Sequence, residues 1–165
     1  CHTRDLFVFS VFTGIGRADL ANLTEDNIVT KEDGSKWIHI ARQKTKAECH
    51  IKLLDIPLRI IEKYKGEGED GRLFYVPQTC NLCRSLKIIA EQCGLGCHLT
   101  FYQKRHSFAC LALANGVSME IIARMLGHSD IRTTKIYAGR KSVESGKRVD
   151  LGGRRIVIKI LNAFQ

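Results

Sequence analysis

No apolar run in this chain approaches the roughly 20 residues needed to cross a bilayer, so nothing in it reads as a membrane span. Nor does the opening CHTRDLFVFSVF read as a secretory signal, since it is short, carries charges and runs straight into a helical pattern. There is no internal repeat. The seven cysteines form an odd, irregular set, which fits reduced thiols in a cytosol and excludes a disulfide framework. Acidic residues are in short supply, with 17 Asp and Glu against 26 Lys and Arg and a net charge of +9. Such a surplus favours a polyanionic partner, of which nucleic acid is the commonest. What remains is an ordinary globular composition of 165 residues, 44% apolar and 26% charged, enough for one domain with a real core.

The periodicity predicts a mainly α-helical α+β domain with a small antiparallel sheet. Residues 4–12 (RDLFVFSVF) are apolar enough for a buried helix that Thr13-Gly14 ends, and Arg17–Leu20 begins a second, short one. Lys36–Ile40 alternates as a strand and His50–Leu53 is its expected partner, with Gln43–Lys46 forming a basic tip between them. Pro57 is read as opening a helix to Lys65, before the flexible GEGEDG. Arg72–Val76 is a short apolar segment, and Asn81–Cys93 has helical spacing up to Gly94. A helix starts near Thr100, with Phe108, Leu111 and Leu113 facing the core, and ends at Gly116. Ser118 caps the next, with Ile121, Ile122, Met125 and Leu126 inward and Gly127 closing it. Ser129 or Asp130 caps a further helix carrying Tyr137, and Ile156–Ile160 reads as a strand.

The densest chemistry lies in RHSFACLALANGVSMEIIARMLGHSDIRTTKIY, which brings Arg105, His128 and Tyr137 in order through one helical region. A phosphate under attack accumulates charge on its non-bridging oxygens. Arginine answers that charge with a planar fork of donors, histidine adds another contact, and tyrosine can become a covalent nucleophile. Arg42, Lys46, Lys104, Arg124, Arg132, Lys135 and Arg140 are candidates for phosphate-backbone contact, which makes binding steeply salt-dependent. Read singly, each is also an ordinary surface charge. Cys80, Cys83, Cys93, Cys97 and His98 offer a zinc set, against which stands the helical spacing between them; small buried thiols are the commoner outcome, and no metal or other cofactor is expected.

The segment from Tyr102 to Tyr137 resembles the second signature box of the tyrosine recombinases, the phage-integrase family. TGIGRADLANLT resembles the family's first box, and Gln43-Lys44-Thr45 its β-hairpin lysine motif, so the resemblance runs from about residue 5 to about residue 140. It implies Tyr137 as nucleophile, Arg105 and His128 on the phosphate, Lys44 as general acid, and His106 buttressing the site from the core. Two positions depart from the pattern. Gly16 stands where the first arginine belongs, leaving Arg17, one place late and about 100° round a helix, or Arg4, on the preceding helix, as stand-ins, or neither. Tyr102 stands where the family usually has histidine; it can bond a phosphate oxygen but is a poor proton shuttle near neutral pH.

The resemblance implies a catalytic domain over residues 1–142, without the family's N-terminal DNA-clamping domain, and a tail over 143–165 that docks as a strand on its own or a neighbouring protomer. The implied function is site-specific recombination or integration for a mobile element, through a 3′-phosphotyrosine intermediate. Its implied partners are double-stranded DNA, three further copies in a DNA-bound tetramer, and accessory DNA-bending proteins, in a bacterial cytoplasm at the nucleoid. A catalytically impaired DNA-binding module of the same fold and a type IB topoisomerase-like enzyme are the alternatives.

Overall fold

The computed structural model describes residues 1–43, 45–96, 99–128, 132, 134 and 160. Its axis is α1 (His2–Thr13), which is apolar nearly all round because it is surrounded. Leu6, Phe7, Val8, Phe9 and Val11 are each at most 3% exposed, so this helix is the centre of the core and not one wall of it. It packs against α3 (Asp55–Tyr64), α4 (Thr79–Gln92) and α5 (Gln103–Ala114). Phe9 meets Phe74 edge-on at 5.0 Å between ring centres, and Phe7 meets Phe101 at 6.3 Å. Gly14 ends α1 in the left-handed conformation, φ 67°. A Cβ there would lie 2.8 Å from the Phe108 ring, so both backbone and space require glycine.

After the short α2 (Arg17–Ala21) come three antiparallel strands in the order β1 (Ile28–Thr30), β2 (Lys36–Ala41), β3 (Glu48–Lys52). Ile38 and Ile51 are paired across β2 and β3 and fully buried, while His39 and His50 pair on the opposite face, 4.3 Å between ring centres. The first strand is absent from the sequence reading; three residues, two of them exposed, are too few to show an alternation. The expected helix at Pro57 begins two residues earlier. Proline then occupies the first turn, where its missing N–H leaves no bond unmade.

On α4, Leu82, Leu86, Ile89 and Ala90 form the buried stripe that the spacing predicted. Ser118 caps α6 (Met119–Leu126), its Oγ accepting from the Ile121 N–H at 3.4 Å. Ile122 and Leu126 are fully buried, but Ile121, expected inward, is 51% exposed: it falls outside the stripe that an eight-residue helix can bury. Of the expected C-terminal strand only Ile160 is described. It is helical, not extended, and is buried in the main core of this chain. Residues 156–159 and the helix expected to carry Tyr137, apart from Arg132 and Thr134, lie outside the described residues.

Asp5, on α1 and 3% exposed, fastens α1 to α3. It accepts from Lys63 Nζ and Tyr64 Oη, each at 2.7 Å, and from Arg4 Nε at 2.7 Å. Burial pushes its carboxyl up, but the three donors outweigh that and hold it below the ordinary range. Burial and the Asp5 carboxylate raise Tyr64 well above a free phenol. The signs give two limits. The lowered Asp5 contributes stability above about pH 4 that is lost as pH falls through its folded value, and the raised Tyr64 contributes stability below about pH 10 that is lost as pH rises through its own. Tyr64→Phe should therefore flatten the alkaline limb of a Tm-against-pH profile, and Asp5→Asn should lower stability by roughly 1–3 kcal/mol at neutral pH in urea unfolding.

Candidate active site

Five segments far apart in sequence meet in one cleft of about 550 Å³, lined by the N-terminus of α2, the β2–β3 turn, the first residue of α4, the N-terminus of α5 and the C-terminus of α6. The joint between them is Arg42, at the end of β2. Its Nη1 donates to Asp19 Oδ2 at 2.8 Å, and its Nη2 donates to the carbonyls of Gly14 at 3.2 Å and Met125 at 2.9 Å. Asp19 Oδ1 also accepts the Gln43 N–H at 2.9 Å, which fixes the start of the hairpin tip. Thr45 Oγ1 donates to the Gly127 carbonyl at 3.2 Å, tying that tip to the end of α6. Gly127, φ 63°, closes the helix; a Cβ there would stand 2.7 Å from Arg42 Cγ, so the close approach of the two segments depends on the bare glycine.

Arg105, in the first turn of α5, lines the cleft and donates from Nη2 to the Leu126 carbonyl. His128, two residues beyond α6, lines it as well, with Nδ1 2.8 Å from Thr134 Oγ1. Burial lowers the imidazole's pKa, and Arg105 and Arg42 push it the same way, so His128 meets the cleft predominantly neutral near pH 7. Tyr102 stands at the rim, 76% exposed. Of the two stand-ins for a first arginine, Arg17 lines the cleft, its Nη2 donating to the Pro77 carbonyl at 3.1 Å, whereas Arg4 is engaged with Asp5 on α1 and does not. Gly16, which caps α2, brings no side chain to that wall.

Several expectations change. Arg42, expected at the surface, is 3% exposed and ion-paired with Asp19, so it is a strut beneath the surface of the cleft. Lys104, also expected at the surface, is 3% exposed; its ammonium sits 3.5 Å from the centre of the Phe101 ring. His106, read as a buttress from the core, is half-buried on α5, with Nε2 3.6 Å from Cys110 Sγ. Lys46, Arg124 and Arg132 are exposed. Lys44, Lys135, Tyr137 and Arg140 lie outside the described residues. The zinc set fails on length: Cys83 and Cys93 are ten residues apart along α4, about 15 Å of helix, while ligands of one zinc lie about 4 Å from each other. Cys97 and His98 lie outside the described residues.

Sequence reasoning missed the burial of Lys104, although a signal was there. Phe101, Lys104 and Phe108 recur at i, i+3 and i+7, which puts a lysine on the apolar side of α5. It also missed the Arg42–Asp19 pair, whose separation of 23 residues leaves no local signal.

The cleft, with arginines and a histidine at its wall, is set between a helical core and a three-stranded sheet. Residues 1–142 match the Phage integrase family, and the chain belongs to it. Tyrosine recombinase XerA of Saccharolobus solfataricus is 32% identical over 138 residues, covering 82% of this chain and 45% of that protein. Tyrosine recombinase XerD of Oceanobacillus iheyensis is 32% identical over 108 residues, covering 57% of this chain and 36% of that one. The chain thus spans less than half the length of these relatives. The fold matches XerH site-specific recombinase bound to palindromic difH substrate, with TM-score 0.71 and 21% identity over 86% of this chain and 44% of that one. It also matches the Tn1549 transposon integrase in complex with transposon right end DNA, with TM-score 0.62 and 14% identity over 95% and 58%. The expected mainly helical fold with a small antiparallel sheet is borne out. No described helix is long and apolar enough to cross a membrane.

Arg42→Met should cost about 3 kcal/mol or more in chemical denaturation, because it strips the donor from the buried Asp19 carboxylate and from two carbonyls. Arg42→Lys should recover little of that, since one ammonium cannot span the same three acceptors.

Proposed function

We propose that this chain is the catalytic domain of a site-specific DNA recombinase or integrase that breaks and rejoins DNA through a 3′-phosphotyrosine. The observation that carries the reading is the convergence of Arg105 and His128 on one cleft, from either end of an α5–α6 pair, in a chain of the phage-integrase family. Tyr137 is the nucleophile. Thr134, which contacts His128, precedes it by three residues in the sequence. The Tyr137 oxygen gives up the phenolic proton to water and bonds to phosphorus as the P–O5′ bond breaks, and Lys44 gives the leaving 5′-oxygen its proton. Arg105 holds the non-bridging oxygens in the phosphorane, where their charge is greatest. His128, kept neutral by its surroundings, offers a hydrogen bond there without adding a full charge. A hydroxyl from a second strand then reverses the step.

Double-stranded DNA is the substrate in this reading, and the recombinases of the same fold solved with DNA support it. A tetramer on DNA, helped by DNA-bending proteins at a bacterial nucleoid, is the working assembly, with residues 1–142 catalytic and residues 143–165 a docking tail. Lys46 and Arg132, both exposed, and Lys135 are its backbone contacts. Gly16 favours a second reading, a fold that binds DNA but cleaves poorly, because it withholds a cation from the cleft wall.

A pool of short nicked duplexes of randomised sequence, from which the cleaved end diffuses away, separates the two. A covalent protein–DNA adduct is expected on denaturing gels, lost in Tyr137→Phe and reduced on the order of a hundredfold in Arg105→Ala. Stable DNA binding with no adduct from the wild-type chain would leave the second reading standing, and an adduct surviving Tyr137→Phe would reject the nucleophile.

A further inference from the structure

Lys104 is the one buried cation for which the fold supplies a place and, among the described residues, no partner. Its Nζ is sealed from solvent and makes no hydrogen bond among them, although the side chain lines the cleft beside Arg105 and Arg17. It also sits in the first turn of a twelve-residue helix, where backbone N–H groups already present partial positive charge. Stability alone gives no reason for a lysine at this position. Desolvation and a helix N-terminus both oppose an ammonium there, and the Phe101 face offsets only part of that. Burial holds the amine well below the ordinary lysine range, with Arg105, Arg42 and Arg17 pushing the same way and Asp19 opposing them. Every one of these costs changes sign when an anion enters, since a phosphate oxygen satisfies the amine, the helix N-terminus and the neighbouring guanidiniums together.

We propose that Lys104 is a phosphate-binding residue of the cleft, the second cation that grips a non-bridging oxygen of the DNA phosphodiester opposite Arg105. It supplies from α5 the charge that the wall at Gly16 lacks. The inference rests on the recombinase reading for the identity of the phosphate, but the anion site is testable apart from it.

The discriminating variant is Lys104→Met, which keeps the length and the apolar packing and removes the charge. Removing an unpartnered buried amine should raise the Tm of the full chain, while affinity for inorganic phosphate, followed by calorimetry, should fall roughly ten- to a hundredfold. Lys104→Arg should retain most of the affinity. A variant with lower Tm and unchanged phosphate affinity would make Lys104 a packing residue and overturn the proposal. On nicked duplexes, Lys104→Met should lose adduct with an ordinary scissile phosphate and lose much less with a methylphosphonate, whose missing charge needs no cation. Equal adduct from wild type and Lys104→Met would sink the inference and leave the recombinase reading intact. Phosphate binding through Lys104 with no adduct from any duplex would do the reverse.

Discussion

The Arg42 guanidinium lies below the surface and sends donors to the carboxylate of one helix, the last carbonyl turn of another and the cap of a third. Each acceptor belongs to a segment that contributes a wall of the cleft. Without the guanidinium, Asp19 would be a nearly buried carboxylate beside two unsatisfied carbonyls, and those walls would have no common anchor. The planar fork is what makes this possible, since its donors diverge in fixed directions and order three acceptors at once. Positions along the cleft wall are then set by structural bonds: Gln43 at the hairpin's start through Asp19, Thr45 through Gly127, and Arg105 through Leu126.

The cleft is expensive to build. Arg17, Arg42, Lys104 and Arg105 share it with a single carboxylate among the described lining residues, Asp19. Like charges at this spacing repel, and one of the four amines or guanidiniums is wholly desolvated. A bound anion would relieve that repulsion. The apolar axis of α1 and the Asp5–Lys63–Tyr64 cluster lie elsewhere and supply the stability against which the cleft is set.

The helices were legible in the sequence because their stripes are local: Leu82, Leu86 and Ile89 announce a buried face without reference to anything else in the chain. Arg105 and His128 were legible because their residue types and spacing suit one phosphate, and the family resemblance added Lys44 and Tyr137. Burial of charge was not legible. Arg42 looked like a surface cation because its burial depends on Asp19 and Met125, which long-range packing brings to it, whereas that of Lys104 was signalled only by its spacing from Phe101 and Phe108. The β1 strand escaped notice for the opposite reason: it is so short that its pairing with β2, and no pattern of its own, defines it.

The bonds that hold the cleft together span 28, 82 and 83 residues of chain, from Arg42 to Gly14, Thr45 to Gly127 and Arg42 to Met125. Contacts of such separation form late, after the loops between them have closed. A ribosome extends the chain from its N-terminal end, so α1 and the hairpin emerge long before the carbonyls of Met125 and Gly127 exist. Until then the basic groups of the hairpin and α5 are scattered along an incomplete polypeptide. The cleft that gathers them is complete only when the end of α6 meets the hairpin.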